Sequence, residues 1–511
     1  MIARLARRLG FAQSVPVSVV DDWLMPRDDE AVALAPLGGA ASCLVDAVGR
    51  VQPSNGTYTL DWSLAAGARW VSAIEAERVS QRLVAPAEVE TTIETPAGTI
   101  VQRVAAAVVD GQPVAVVEIE NRGGVAIAIG LVVRPLVHGG RGFLHSVAVG
   151  PGGFDLGDQG SVHTSQVAAT AVADGVDLLG RMPPADAGAV ELQVVSRSGG
   201  AQAAAVLPLP HTATTRVLVE LAGPVRPTAA VPTVDDVQRG WQRHLEAGAS
   251  ISVSDTDVEE RMVVATRSLL TGRPGHRYLP ATITALAELG FGDEARRLMV
   301  DLDRIDEGPE LLAAVARWVQ LGDVRAQLDR LDAIIGPVAR AAHETTFVER
   351  LTGPAWMPDA LDALATGLDL IDQPDVGENV RSLTVVEAMP RPDETLFKRS
   401  SPLAALAGPD VSARTVLAAR AAVLSDRAGA VDLLPAIPVS WRGRAIDGLR
   451  LPIEQGSISF GLRWHGPRPA VLWEIDAEAP VRVTASAIDP DFSATDAKGE
   501  TLLNDPGWPR S

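Results

Sequence analysis

Cysteine is nearly absent from this chain: Cys43 is the only one in 511 residues. A single thiol closes no intrachain disulfide, and with eight scattered histidines it builds no zinc-type spacing. We therefore expect no metal and no cofactor, and a reducing, cytoplasmic compartment. Positive charge is short as well. Lys and Arg total 45 against 64 Asp and Glu, a net charge of −19 and a pI near 4.9, which disfavours nucleic acid and anionic membrane as partners. Long apolar runs are missing too. The longest, "VAIAIGLVV" at 125–133, is under half a membrane span, and no apolar stretch of signal-peptide kind follows the arginines of "MIARLARRLGFAQSVP".

Familiar chemical motifs are equally scarce. No GxSxG elbow occurs. The glycine-rich "VGPGGFDLGDQGS" lacks the Lys and Ser/Thr of a phosphate loop and sits among strand patterns, so it reads as a plain loop. "DPDFSATDAKGE" spaces Asp489, Asp491, Ser493 and Glu500 like a calcium loop, but Ala494 stands where that loop needs glycine.

What the chain does have is pattern. Apolar residues are 47% and charged residues 21%, ordinary for a folded protein, and the length implies two or three domains. Up to residue 222 the period is two, as in "TIVQRVAAAVVDGQPVAVVEIENRGGVAIAIGLVVRPL", with "DGQP" and "ENRGG" as turns. This predicts a large antiparallel β-sandwich over residues 1–222. A Pro- and Ala-rich linker, 223–236, follows.

From 237 to 430 the period moves toward 3.6, with about eight helix-like segments, among them "TDVEERMVVATRSLL", "PATITALAELG", "GDEARRLMVDLDRI" and "VSARTVLAARAAVLSD". Glycines close several of them, as in "LGFGDEA", which predicts antiparallel α/α hairpins. Alternation returns in a small carboxyl-terminal β-cap, 431–485, and the Asp-, Pro-, Gly- and Ser-rich residues 486–511 read as a tail. The predicted class is multidomain β plus α.

The segment "DLLPAIPVSWRGRAIDGLRLPIEQGSISFGLRWHGPRPAVLWEI" resembles the end of bacterial glucoamylase-like enzymes of the six-hairpin glycosidase superfamily. There a helical toroid closes in an "LLPGIPxxW" turn followed by "SFALRWHGxRPALLWE" strands. Leu433, Leu434, Pro435, Ile437, Pro438 and Trp441 carry the first part; Gly456, Ser459, Phe460, Leu462, Arg463, Trp464, His465, Gly466, Pro469, Leu472, Trp473 and Glu474 carry the second. "HRYLPATITALAELGFGDEARRL" is similar to a toroid hairpin of the group. The resemblance implies an amino-terminal supersandwich, a shortened (α/α) toroid and the β-cap, and a saccharide substrate, an α-glucan or a relative. Trp441, Trp464 and Trp473 are expected to pin the cap.

Inverting glycoside hydrolysis needs a carboxylic acid and a carboxylate about 6.5–9.5 Å apart. The resemblance places them in loops of the helical region, where Glu310, Glu344 and Glu349 are the candidates, with Arg277, Trp318, Trp356 and Asp359 as candidate sugar contacts. Each has a plainer reading. Glu310 opens a predicted helix, where the dipole favours any anion. Glu344 and Glu349 are five apart and share no helical face. Trp318 and Trp356 suit core packing as well as stacking on a pyranose. Tyr278 follows Arg277 where the group has an Asp, and the region has fewer helices than a full toroid. The expectation is thus a glycoside hydrolase-like protein that has lost catalysis. The alternatives are a scaffold that covers its open seam as a homo-oligomer, or a hydrolase with rearranged carboxylates.

Overall fold

The computed structural model describes residues 31–299 apart from 40, 67–68, 77, 85, 96–97, 226–230 and 273–278; positions 314, 315, 317, 318, 320 and 321; and residues 409–508 apart from 428 and 455. These form two compact units, one reaching Trp241 and the other starting at Gln242. The chain is β-rich, with five α-helices among the described residues.

The first unit is built from two large antiparallel sheets, of eight and nine strands. The alternation of Val, Ile and Ala explains their centres. Ile127–Arg134 is buried along nearly its whole length, and the strand Gly98–Val109 pairs with Gln112–Asn121 residue for residue from Ile100 onward. The turn joining that pair is the predicted Asp-Gly: Asp110 and Gly111 have φ of 49° and 76°, both in the left-handed region that a two-residue hairpin requires. The sheets are tied to each other by side chains. Gln81 Nε2 donates to Asp46 O at 2.6 Å, and Asn121 Nδ2 donates to Leu209 O at 3.3 Å and Pro210 O at 3.1 Å. A buried ionic cluster sits in the eight-stranded sheet. Arg50 pairs with Asp46 at 2.6 Å, and Arg134 joins Asp61 at 3.3 Å and Asp177 at 2.8 Å.

Helix α1, Val234–Ala247, begins inside the stretch expected to be linker, and its pattern was not among the predicted helices. A capping box starts it: Thr233 N and Oγ1 donate to Asp236 Oδ2, and Asp236 N donates back to Thr233 Oγ1 at 3.0 Å. Those hydrogen bonds lower the Asp236 carboxyl to about 2. Val234 and Val237 lie against Ala105, Ala107, Val114, Val116 and Leu218, covering the nine-stranded sheet.

The second unit combines helices α2 (Thr256–Thr271), α3 (Leu279–Glu288), α4 (Gly292–Leu298) and α5 (Pro409–Val423) with a five-stranded and a four-stranded sheet. The α3–α4 hairpin follows from "LAELGFGDEA". Gly290, at φ 76°, lets Phe291 N reach back to Leu286 O at 2.8 Å and Gly290 N to Ala287 O at 2.9 Å, so that the last carbonyls of α3 are satisfied. Helix α5 packs on α2 and α3. Two expectations are corrected. Residues 424–430, assigned to the helical region, contain the strand Leu424–Arg427, and the supposed tail supplies the strands Asp489–Ala494 and Lys498–Leu502. Polar strand residues such as Asp491 and Lys498 face solvent, and they masked the alternation in the sequence.

Candidate functional site

The carboxyl-terminal block folds as one element. Leu433 and Leu434 are buried, the latter at φ 58°, and the chain turns through Pro435 and Pro438 into a short 3₁₀ turn, Val439–Trp441. Trp441 is fully buried. The strands Ile446–Ile453, Gly456–His465 and Arg468–Ala477 then pair antiparallel, with a bulge between Gly448 and Leu451. Trp473 is also buried; its Nε1 donates to Asp496 O at 2.9 Å and its ring meets Phe492 edge-on. Trp464 differs from the expectation. It stands half-buried at the hairpin end rather than in the core.

Beside this block four charged side chains converge in the interior. Glu288, at the end of α3, is paired with Arg317 at 2.8 Å and with Arg420 of α5 at 3.0 Å. Asp426, in the strand after α5, is paired with the same two arginines at 2.6 and 3.1 Å. Arg420 also donates to Leu424 O and Pro452 O, and Glu454 N donates to Asp426 Oδ2. Burial raises the Asp426 carboxyl, but the attraction of Arg317 and Arg420 and the hydrogen bonds they make outweigh it, so it lies below its ordinary value. Burial likewise works against the Arg317 guanidinium, and Glu288 and Asp426 more than restore it, leaving it above its usual range. A carboxylate held ionised between two guanidiniums cannot act as a general acid near neutral pH. The cluster ties two helices to the cap instead.

An open cleft of about 450 Å³ lies at the start of α2, lined by Ser254, Asp255, Thr256, Asp257, Glu259 and Arg444. Asp255 caps α2 by accepting from Asp257 N at 3.1 Å and pairs with Arg444 at 3.1 Å. Ser252 Oγ donates to Glu259 at 2.9 Å. These groups are arranged to accept and donate hydrogen bonds. Among the described residues no group of His, Cys, Asp or Glu could hold a metal ion. The segment spaced like a calcium loop is a structural clip: Asp489 accepts from Asn504 N at 2.9 Å and from its Nδ2 at 3.1 Å, and these bonds lower its carboxyl.

Glu310, Glu344, Glu349, Arg277, Trp356 and Asp359 lie outside the described residues. Trp318 is described, and it is 3% exposed with its Nε1 donating to Gly292 O at 2.9 Å. Its sugar-contact reading is corrected to the core-packing one, because no face of the ring is open to a ligand. The sequence reading missed Glu288, Arg317, Arg420 and Asp426. For Glu288 and Arg420 the signal was a charge set in an apolar stretch, "LPATITALAE" and "TVLAARAAV", which demands a buried partner.

No protein-family model and no curated protein matches the sequence. Among solved structures the chain is similar to a bacterial glucoamylase complexed with acarbose, at 9% identity and a TM-score of 0.44, over 70% of this chain and 66% of that one. It is also similar to a protein described as a kojibiose phosphorylase from the human microbiome, at 7% identity and a TM-score of 0.44, over 93% of this chain and 91% of that one. No helix among the described residues is long and apolar enough to cross a membrane.

Proposed function

We propose that this protein handles a saccharide, an α-glucan or a relative, on a shortened six-hairpin scaffold, and that it binds its sugar without hydrolysing it. The observation that carries the reading is the block from Leu433 to Glu474. The residues that resemble the glycosidase group make the buried turn at Trp441 and the paired strands behind it. Two further points support loss of hydrolysis. The buried carboxylates Glu288 and Asp426 of the helical unit are each committed to two arginines, and Tyr278 follows Arg277 where the resemblance calls for an Asp. The candidate acids Glu310, Glu344 and Glu349 complete the proposal as the groups to test.

The experiment is a panel of maltooligosaccharides, glycogen, trehalose and nitrophenyl glycosides, with and without inorganic phosphate, read for both sugar release and calorimetric binding. Binding without release is expected. Release that Glu310→Gln, Glu344→Gln or Glu349→Gln abolishes would overturn the non-hydrolytic part and locate an acid. Neither binding nor release would overturn the carbohydrate reading as a whole.

A further inference from the structure

The described tryptophans divide into two groups. Trp62, Trp241, Trp318, Trp441 and Trp473 are at most 5% exposed, and Trp70 packs against the core of the first unit. Trp464 and Trp508 are half-buried and meet each other, with ring centroids 5.9 Å apart and planes tilted by 46°. Both rings are held in place. Trp464 Nε1 donates to Arg444 O at 3.0 Å, and the Arg442 guanidinium lies 4.6 Å from the centre of the Trp508 ring. A fixed aromatic pair at the surface presents apolar area with little entropy left to lose on binding.

The same short segment reaches the polar cleft. Arg444, whose carbonyl anchors Trp464, turns its guanidinium onto Asp255 and Ser254 O and forms one wall of the cleft. The aromatic pair and the cleft therefore share one support. Asp255, Asp257 and Glu259 outnumber Arg444, so the cleft repels anions. The described carboxylates also form no metal-binding group. What suits an apolar ring face beside hydroxyls and carboxylates is a neutral polyol with an apolar side, which is the chemistry of a pyranose.

We propose that Trp464, Trp508 and the cleft at Asp255–Glu259 form a saccharide-docking surface of the second unit. It uses none of the candidate acids named above, and it rests on the carbohydrate reading. A chain of sugars lies with one ring against the tryptophans, while its hydroxyls reach Ser254, Thr256 and the carboxylates. A cationic peptide, the competing ligand for an acidic aromatic surface, has to face Arg442 and Arg444.

The test is calorimetric titration of the full chain with maltoheptaose and with glycogen, alongside Trp464→Ala, Trp508→Ala and Glu259→Gln. The expected result is binding by the unaltered protein, weakened about tenfold or more by each tryptophan change, with unfolding midpoints retained. Trp508→Ala carries the test if Trp464→Ala does not fold, since Trp508 lies beyond the last strand. Saccharide binding that neither tryptophan change weakens would overturn this surface and leave the carbohydrate reading standing. No binding of any saccharide by the unaltered protein would overturn both. Displacement of maltoheptaose by oligolysine, with binding that collapses in salt, would overturn the saccharide assignment in favour of a cationic partner.

Discussion

Each unit buries a cluster of arginines and carboxylates, and the two clusters meet the cost of burial in opposite ways. Asp46 in the β unit and Asp426 in the helical unit are equally hidden, each at 4% exposure. Burial pushes the Asp46 carboxyl above its ordinary value despite Arg50, and the negative charge of Asp61 adds to the rise. Asp426 falls below its ordinary value because two guanidiniums and a backbone N–H reach it. Depth alone does not set the direction; the charge facing each carboxylate does, two guanidiniums at Asp426 against one guanidinium and a second carboxylate at Asp46.

That comparison is broken most severely by removing a shared arginine. Arg420→Ala leaves Glu288 and Asp426 with one guanidinium between them and strands the carbonyls of Leu424 and Pro452, so a loss of about 3–5 kcal/mol is expected in the helical unit. Arg50→Ala in the β unit is expected to cost less, about 2 kcal/mol, because burial has already raised the Asp46 carboxyl, which makes protonation an easier escape than it is for Asp426. Denaturant-dependent hydrogen exchange distinguishes the units, read at Gly98–Val109 for the first and at α5 for the second. Equal losses would show that the arginine count is not what separates the clusters.

Acid sharpens the same contrast. Asp426 has a depressed carboxyl in the folded state, so its contribution is complete above the unfolded value of 3.8 and is lost as pH falls through its folded value. Asp46 is raised, so its ionised form is penalised in the folded protein, and the penalty is relieved as pH falls through its folded value toward 3.8. Lowering the pH from about 6 to about 3 should therefore first strengthen the β unit and only then weaken the helical unit. Hydrogen exchange at stepped pH checks this, with Asp46→Asn flattening the first effect and Asp426→Asn the second. A helical unit that weakens before pH 3.8 is approached would contradict the direction assigned to Asp426.

The sequence announced the parts of the fold that depend on local chemistry. The Asp110–Gly111 turn and the α3–α4 hairpin at Gly290 need only a few neighbouring residues to be recognised. So did the paired strands around "HGPRP". The strands Asp489–Ala494 and Lys498–Leu502 were illegible because they lie at the ends of their sheets with polar residues outward, where alternation is weak. The Glu288–Asp426 cluster was hidden for a different reason. Its members are spread from 288 to 426, and only the fold brings them within 3.1 Å of shared arginines. Trp464 shows the limit from the other side: its motif marked it as conspicuous, but whether the ring pointed inward or outward was settled by the hairpin end.

The smallest effect isolates backbone from packing within the helical unit. A Cβ added at Gly290 would meet nothing closer than Ala249 N at 3.6 Å, an ordinary contact, so Gly290→Ala is disfavoured only by the φ of 76°. The expected loss is about 1–2 kcal/mol, the cost of placing an L-residue in the left-handed region. Gly290→Asn should recover part of it, since Asn tolerates that conformation. Gly248→Ala tests the opposite case. Its Cβ would come within 2.4 Å of Phe291 Cζ, so the ring that follows the α3 turn must shift, and Asn there should be worse than Ala. Thermal unfolding of the four variants distinguishes the two causes. If Asn were the worse substitution at Gly290 as well, crowding rather than backbone conformation would be what the hairpin requires of its glycine.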